Sequence, residues 1–143
     1  MHYAEPLDDP DFSGLQLQFT TKEPKYTAGI LLLGRSNLYI PPNTPTTHGD
    51  ANCKPDIPAW IHVFAYRTHA HSFGNVISGY KKGRSSEEWS MIAKGNPQWP
   101  QAFYPMKKEV IIAPGDTVAA RCSYNTTGHD SAVTIGIFSD LKP

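Results

Sequence analysis

The residues with the clearest chemical potential are Arg67, His69 and His71, which close the run Ile61-His62-Val63-Phe64-Ala65-Tyr66-Arg67-Thr68-His69-Ala70-His71. Read as one extended strand, this run projects alternate side chains from one face, roughly 6.6 Å apart, so all three share a face. Two imidazoles so placed can reach a single ion, each with a ring nitrogen about 2 Å from it. Imidazole suits copper or zinc better than magnesium or calcium. Arg67 beside the pair can hold a carboxylate through its bidentate fork. Six histidines in 143 residues make a chance His-x-His common, so spacing alone leaves metal binding and coincidence in balance. His62, on the opposite face, reads as a hydrogen-bonded structural residue. The third ligand is not specified: His2, His48, His129, Met91 and Met106 are all open.

The elements that must position these residues read as short strands. Residues 15–20 alternate apolar and polar, the period-two mark of a half-buried strand. Residues 26–33 are continuous enough to be buried on both faces, and 37–40 stop at Pro41-Pro42. Residues 41–58 hold five prolines and read as a long loop carrying His48 and Cys53. A strand over 60–72 carries the His pair. Residues 75–82 and 88–93 form a hairpin around Gly83-Arg84-Ser85-Ser86. Residues 96–105 make a loop rich in proline and aromatic side chains, with Trp99, Phe103 and Tyr104 as packing groups. Strands 109–113 and 117–124 flank the turn Pro114-Gly115-Asp116, and 132–138 is the last strand. No apolar recurrence at helical spacing appears. The expected fold is all-β: one domain over 1–143, an antiparallel β-sandwich of jelly-roll type with about eight or nine strands.

Composition narrows the function classes. Lys plus Arg and Asp plus Glu are 13 each, a formal net charge of zero. That balance argues against nucleic acid, which needs clustered cations, and against a polybasic membrane surface. The longest apolar run, Ile30-Leu31-Leu32-Leu33, is far too short to cross a bilayer. No basic region followed by an apolar stretch opens the chain, so no secretory signal is visible. Cys53 and Cys122 can pair, bind metal or stay reduced, and arithmetic does not choose among these. Asn125-Thr126-Thr127 is a glycosylation sequon that matters only in an exported protein.

The run His62-Val63-Phe64-Ala65-Tyr66-Arg67-Thr68-His69-Ala70-His71 and then Gly74-Asn75-Val76-Ile77-Ser78-Gly79-Tyr80 resemble the second copper domain of the peptidylglycine α-hydroxylating monooxygenases, within the copper type II ascorbate-dependent monooxygenase family. Asn96-Pro97-Gln98-Trp99-Pro100-Gln101-Ala102-Phe103-Tyr104-Pro105, then Gly115-Asp116 and Ala119-Ala120-Arg121-Cys122, continue the likeness in order. Dopamine β-monooxygenase shares the His-x-His strand, but the Asn-Pro-Gln to Tyr-Pro segment resembles the peptide enzyme. The resemblance implies a secreted or secretory-granule enzyme that hydroxylates the α-carbon of a C-terminal glycine, the first step of peptide amidation. It implies copper, ascorbate as reductant and molecular oxygen as co-substrate. It implies a glycine-extended peptide as substrate and an N-terminal copper domain as electron-donating partner. Carried onto this chain, His69 and His71 bind copper together with a Met, and Arg67 receives the glycine carboxylate.

The likeness breaks at both ends. The first copper domain is absent, and Pro143 falls about where the family's Met ligand stands. Cys53 and Cys122 match family cysteines whose disulfide partners lie beyond this point, so here they are unpaired unless they join each other or another chain. Two functional classes therefore stay in view: the oxygen- and substrate-binding copper domain of the monooxygenase, inactive in isolation, and a catalytically silent copper-binding β-sandwich fragment. A plain β-sandwich interaction module, without metal, is the third.

Overall fold

The computed structural model describes residues 8–135 and divides the chain after Leu31. Within 8–31 there is no regular secondary structure, and Phe12, Leu15 and Phe19 are each at least 90% exposed. The strands expected at 15–20 and 26–33 do not form. Alternation reports what the side chains want, whereas a strand also requires another backbone to complete its ladder. Leu15, Leu17 and Phe19 keep the alternation, but no strand pairs with them.

The second unit, from Leu32 onward, is all-β and antiparallel throughout, as the sequence pattern predicts. Its eight strands among the described residues are β1 Leu38–Ile40, β2 Thr47–Cys53, β3 Ile61–Tyr66, β4 Gly74–Lys82, β5 Ser90–Gly95, β6 Tyr104–Ile112, β7 Thr117–Tyr124 and β8 Val133–Ile135. A four-stranded sheet runs β2-β7-β4-β5, while β3 pairs with β6 and β1 with β8. Val118, Ile40, Ile112 and Leu38 are the buried apolar side chains. No described helix is long and apolar enough to cross a membrane.

Three differences from the sequence reading matter for the site. First, β2 lies inside the segment read as a loop. Thr-His-Gly-Asp-Ala-Asn-Cys has little intrinsic strand preference. It becomes a strand through seven successive pairings with β7, from Thr47↔Tyr124 to Cys53↔Val118. Gly49 permits this, since a β-carbon there would stand 2.9 Å from Leu38 Cδ2. Second, β3 ends at Tyr66, so Arg67, His69 and His71 leave the sheet. Third, β6 begins at Tyr104 rather than near 109, drawing the end of the aromatic loop into the ladder opposite Tyr66. The final strand is described to Ile135 only; the rest of the expected 132–138 strand and Pro143 lie outside the described residues, as do Met1 and His2.

The turn at 114–116 forms as expected. Gly115 adopts φ 89°, and the buried Asp116 carboxylate accepts from the Ala113 amide at 3.0 Å and pairs with Lys81 at 3.6 Å. The hairpin of β4 and β5 also forms, with β5 displaced by two residues from the expected 88–93.

Candidate metal centre

Once β3 has ended, the carbonyls of the next residues have no sheet partner and must find donors elsewhere. Two glutamine carboxamides from the loop after β5 supply them. Gln98 Nε2 donates to the carbonyls of His71 at 3.0 Å, Gly74 at 3.1 Å and Ala70 at 3.4 Å. Gln101 Nε2 donates to Pro97 at 3.2 Å and to Thr68 and Trp99 at 3.4 Å. Thr68, itself buried, donates its hydroxyl to the Asn96 carbonyl at 3.2 Å. The Gly74 amide closes a turn onto the His71 carbonyl at 2.9 Å. Pro97 is fully buried, and the Trp99 and Tyr66 rings flank Tyr104 at 5.6 and 6.0 Å. Tyr104 and Trp99 thus pack the loop as expected, while Phe103 is 55% exposed.

On this braced segment the His69 and His71 rings lie edge to face, centroids 5.4 Å apart and planes at 77°. Both residues and Arg67 are exposed. Gln101 Oε1 accepts from Arg67 Nε at 3.2 Å and Nη2 at 3.0 Å, and lies 3.1 Å from His69 Nδ1. The strand-face argument is therefore corrected: the three side chains converge from a loop, not from alternate positions of β3. Arg67 also has one edge of its guanidinium already engaged by the amide oxygen.

Of the other candidate ligands, His48, His129, Met91 and Met106 do not line the cavity beside the His pair. His48 on β2 bonds Ser123 Oγ at 3.0 Å, and His129 packs on Phe73 at 4.7 Å. Met91 lies on β5 and Met106 on β6. No group of three or more His, Cys, Asp or Glu gathers for metal among the described residues. His62 lies on β3 with its Nδ1 3.4 Å from Glu109 of β6, both side chains exposed.

A cavity of about 500 Å³ opens beside the pair, bounded by Arg67, His69 and His71 and floored by Ile77, Ala120 and Tyr124 of the central sheet. That volume is in the range of ordinary ligand pockets. Cys122 also lines it. Burial pushes its thiol up, against an opposing hydrogen bond with Tyr124, so it is not poised as a thiolate. Cys53 and Cys122 are both free. Register forbids their pairing, because Cys122 faces Gly49 and Cys53 lies four residues along β2. That offset is about 13 Å, well beyond the Cα separation of about 4.4–6.8 Å a disulfide needs.

Residues 26–140 match the C-terminal domain of copper type II ascorbate-dependent monooxygenases. The chain belongs to that family. It is 39% identical to peptidyl-glycine alpha-amidating monooxygenase A of Xenopus laevis over 88% of this chain and 13% of that protein. The enzyme of the same class from Mus musculus gives the same figures, 39%, 88% and 13%. Dopamine beta-hydroxylase of Homo sapiens is 31% identical over 99% of this chain and 25% of its own length. The chain thus spans a small part of the relatives it matches. Copper, ascorbate and oxygen are what this family works with. Two adjacent exposed imidazoles fit copper chemically, imidazole being a good ligand for it.

Gln98 and Gln101 carry much of this geometry; in the sequence they stand within the 96–105 segment of the family likeness, with no role given to either. Their one local signal is position: carboxamides fixed among Pro97 and Pro100, where no periodicity explains them.

Proposed function

We propose that this chain supplies the oxygen- and substrate-binding copper domain of a monooxygenase that hydroxylates the α-carbon of a C-terminal glycine in peptides. His69 and His71 hold the copper, and Arg67 receives the substrate carboxylate. Bound there, copper would supply the oxygen-reducing chemistry: with two electrons from ascorbate and two protons, one oxygen atom would enter the C–H bond and the other would leave as water. The chain's own residues bind and orient. The observation that carries the reading is the pairing of His69 and His71 at 5.4 Å, with Arg67 lining the same cavity. Arg67 keeps donors beyond those given to Gln101, since a guanidinium has five N–H groups. The relatives named for peptide amidation match at 39% identity, against 31% for dopamine beta-hydroxylase, which favours a peptide carboxylate over an amine.

Electrons come from an N-terminal copper domain, and the location is secreted or secretory granule, with Asn125 available to a glycan. One domain of jelly-roll type houses the site. The second reading is a catalytically silent copper-binding β-sandwich fragment, favoured by the absence of a third His, Cys, Asp or Glu grouped with the two imidazoles among the described residues.

Copper(I) affinity, measured by chelator competition, tests the site. His69→Ala and His71→Ala should each lower it by more than roughly 100-fold, above the typical effect of a residue behind the ligands. Unchanged affinity in both would refute the assignment. Arg67→Ala should then weaken binding of a peptide ending in free glycine about 10- to 100-fold, the scale of a lost charged hydrogen bond. The same peptide ending in an amide should bind both forms equally. Copper binding with no preference for the free carboxylate would select the silent reading.

A further inference from the structure

We propose that Gln101 is the positioning residue of this site: its carboxamide oxygen fixes His69 as the Nδ1–H tautomer, so that the Nε2 lone pair is the atom offered to metal. The proposal rests on the reading that His69 and His71 hold copper.

Chemistry decides which way the Gln101 amide points. Its nitrogen faces three carbonyls, of Pro97, Thr68 and Trp99, at 3.2–3.4 Å. Carbonyls only accept. Its oxygen faces Arg67 Nε and Nη2 at 3.2 and 3.0 Å, and a guanidinium only donates. Turned over, the amide would set N–H against N–H on one side and oxygen against three oxygens on the other. All five contacts would become repulsive.

With the oxygen fixed, the His69 contact has one solution. Gln101 Oε1 has lone pairs and no proton, so His69 Nδ1 at 3.1 Å must carry the hydrogen. A neutral imidazole protonated at Nδ1 has its lone pair on Nε2. Metal-bound histidines commonly donate their second nitrogen to a carbonyl or carboxylate in this way, which orients the ring and raises its basicity. Here the acceptor is a side chain 32 residues away in sequence. The same oxygen holds Arg67, so one carboxamide sets both the metal ligand and the carboxylate anchor.

Gln98 provides the control. It braces the same segment through the carbonyls of Ala70, His71 and Gly74. No contact is seen between it and an imidazole, so its loss should weaken the loop without touching the tautomer.

The test is nitrogen-15 NMR of the metal-free 143-residue chain, labelled at histidine and held at mildly alkaline pH. His69 should show an unprotonated Nε2 in the native chain and in Gln98→Leu. In Gln101→Leu the signal should move toward the Nε2–H form, with copper(I) affinity falling roughly 10- to 100-fold. Nε2–H in the native chain, or a Gln101→Leu pattern identical to it, overturns the proposal. If Gln101→Leu does not fold, the protonation pattern of the native chain decides. His69→Ala separates the two layers. Unchanged copper affinity there sinks the metal reading while the tautomer result stands. Lost affinity alongside a native Nε2–H ring sinks the role of Gln101 and leaves the metal site intact.

Discussion

Replacing Gly74 by alanine puts a methyl group where the loop has no room for it. An ideal β-carbon at 74 would lie 2.5 Å from Ala70 Cβ, and 3.3 Å from both the His71 carbonyl oxygen and Pro97 Cγ. Carbon atoms rest about 3.5–4.0 Å apart, so the Ala70 contact is short by at least about 1 Å. Ala70 has no torsion with which to swing its Cβ aside, and Pro97 is buried and rigid. Relief must come from the backbone of the segment between the two histidines, or from β4. Overpacking of this kind costs about 1–3 kcal/mol. For a domain of this size that corresponds to a Tm lower by about 4–12 °C. Because the displaced backbone carries His69 and His71, copper(I) affinity should fall along with Tm. Gly79→Ala, farther along the same strand, is the control: its β-carbon would meet nothing closer than 3.8 Å. Its Tm should stay within about 2 °C of native, in line with about 0.5 kcal/mol for a harmless substitution. Scanning calorimetry of both variants, with chelator competition, reads the difference. Gly74→Ala with native Tm and native copper affinity would show that the loop is not packed as described.

Two further outcomes follow from the central sheet. The unfolded chain should titrate two free thiols, because register keeps Cys53 and Cys122 about 13 Å apart along β2 and β7; a monomer showing no thiol would refute that register. Arg121 clasps Asp50 at 2.8 and 2.7 Å and, chiefly by that hydrogen bonding, holds its carboxyl below the ordinary 3.8. A depressed carboxyl stabilises the fold above its unfolded value and loses that contribution as pH falls through its folded one. Asp50→Asn should therefore melt lower than native at neutral pH, modestly because the pair is half exposed. The gap should close below pH 3.8; a gap independent of pH would show that charge is not its source.

What the sequence made legible tracks how local each cause is. β7 was expected at 117–124 and forms over Thr117–Tyr124, and β4 differs from expectation by one residue. Both are central strands whose side chains alternate against packed neighbours, so local pattern and tertiary need agree. β2 went unseen because nothing in its own composition favours a strand; the cause is β7, some 70 residues later. Residues 15–20 erred the opposite way, with a good local pattern and no partner ladder. At the site, the His-x-His spacing and the family resemblance singled out Arg67, His69 and His71, and the structure sets all three on one cavity. The reasoning that grouped them used strand alternation, which does not apply beyond Tyr66. The role of Gln101 was not legible because a side-chain amide acting across 32 residues leaves no periodic trace.

Leaving the strand is what gives the two imidazoles their relation. On a continuing β3, His69 and His71 would stand side by side about 6.6 Å apart, their rings pointing along nearly parallel directions. The loop instead brings the centroids to 5.4 Å with the planes at 77°. Such a departure from the sheet normally costs order, because carbonyls outside a ladder turn to water and the segment becomes mobile. Here the carbonyls of Thr68, Ala70, His71 and Gly74 are all returned to hydrogen bonds by the carboxamides of Gln98 and Gln101. Those two side chains take over the task of a neighbouring strand, with one difference. A strand offers only N–H and C=O at fixed intervals, whereas Gln101 brings a third function in its free oxygen, aimed at Arg67 and His69. The rigidity of the loop and the orientation of the side chains it carries therefore have one source, which is why a change at Gln101 should disturb the chemistry of the pair in a way that a change at Gln98 does not.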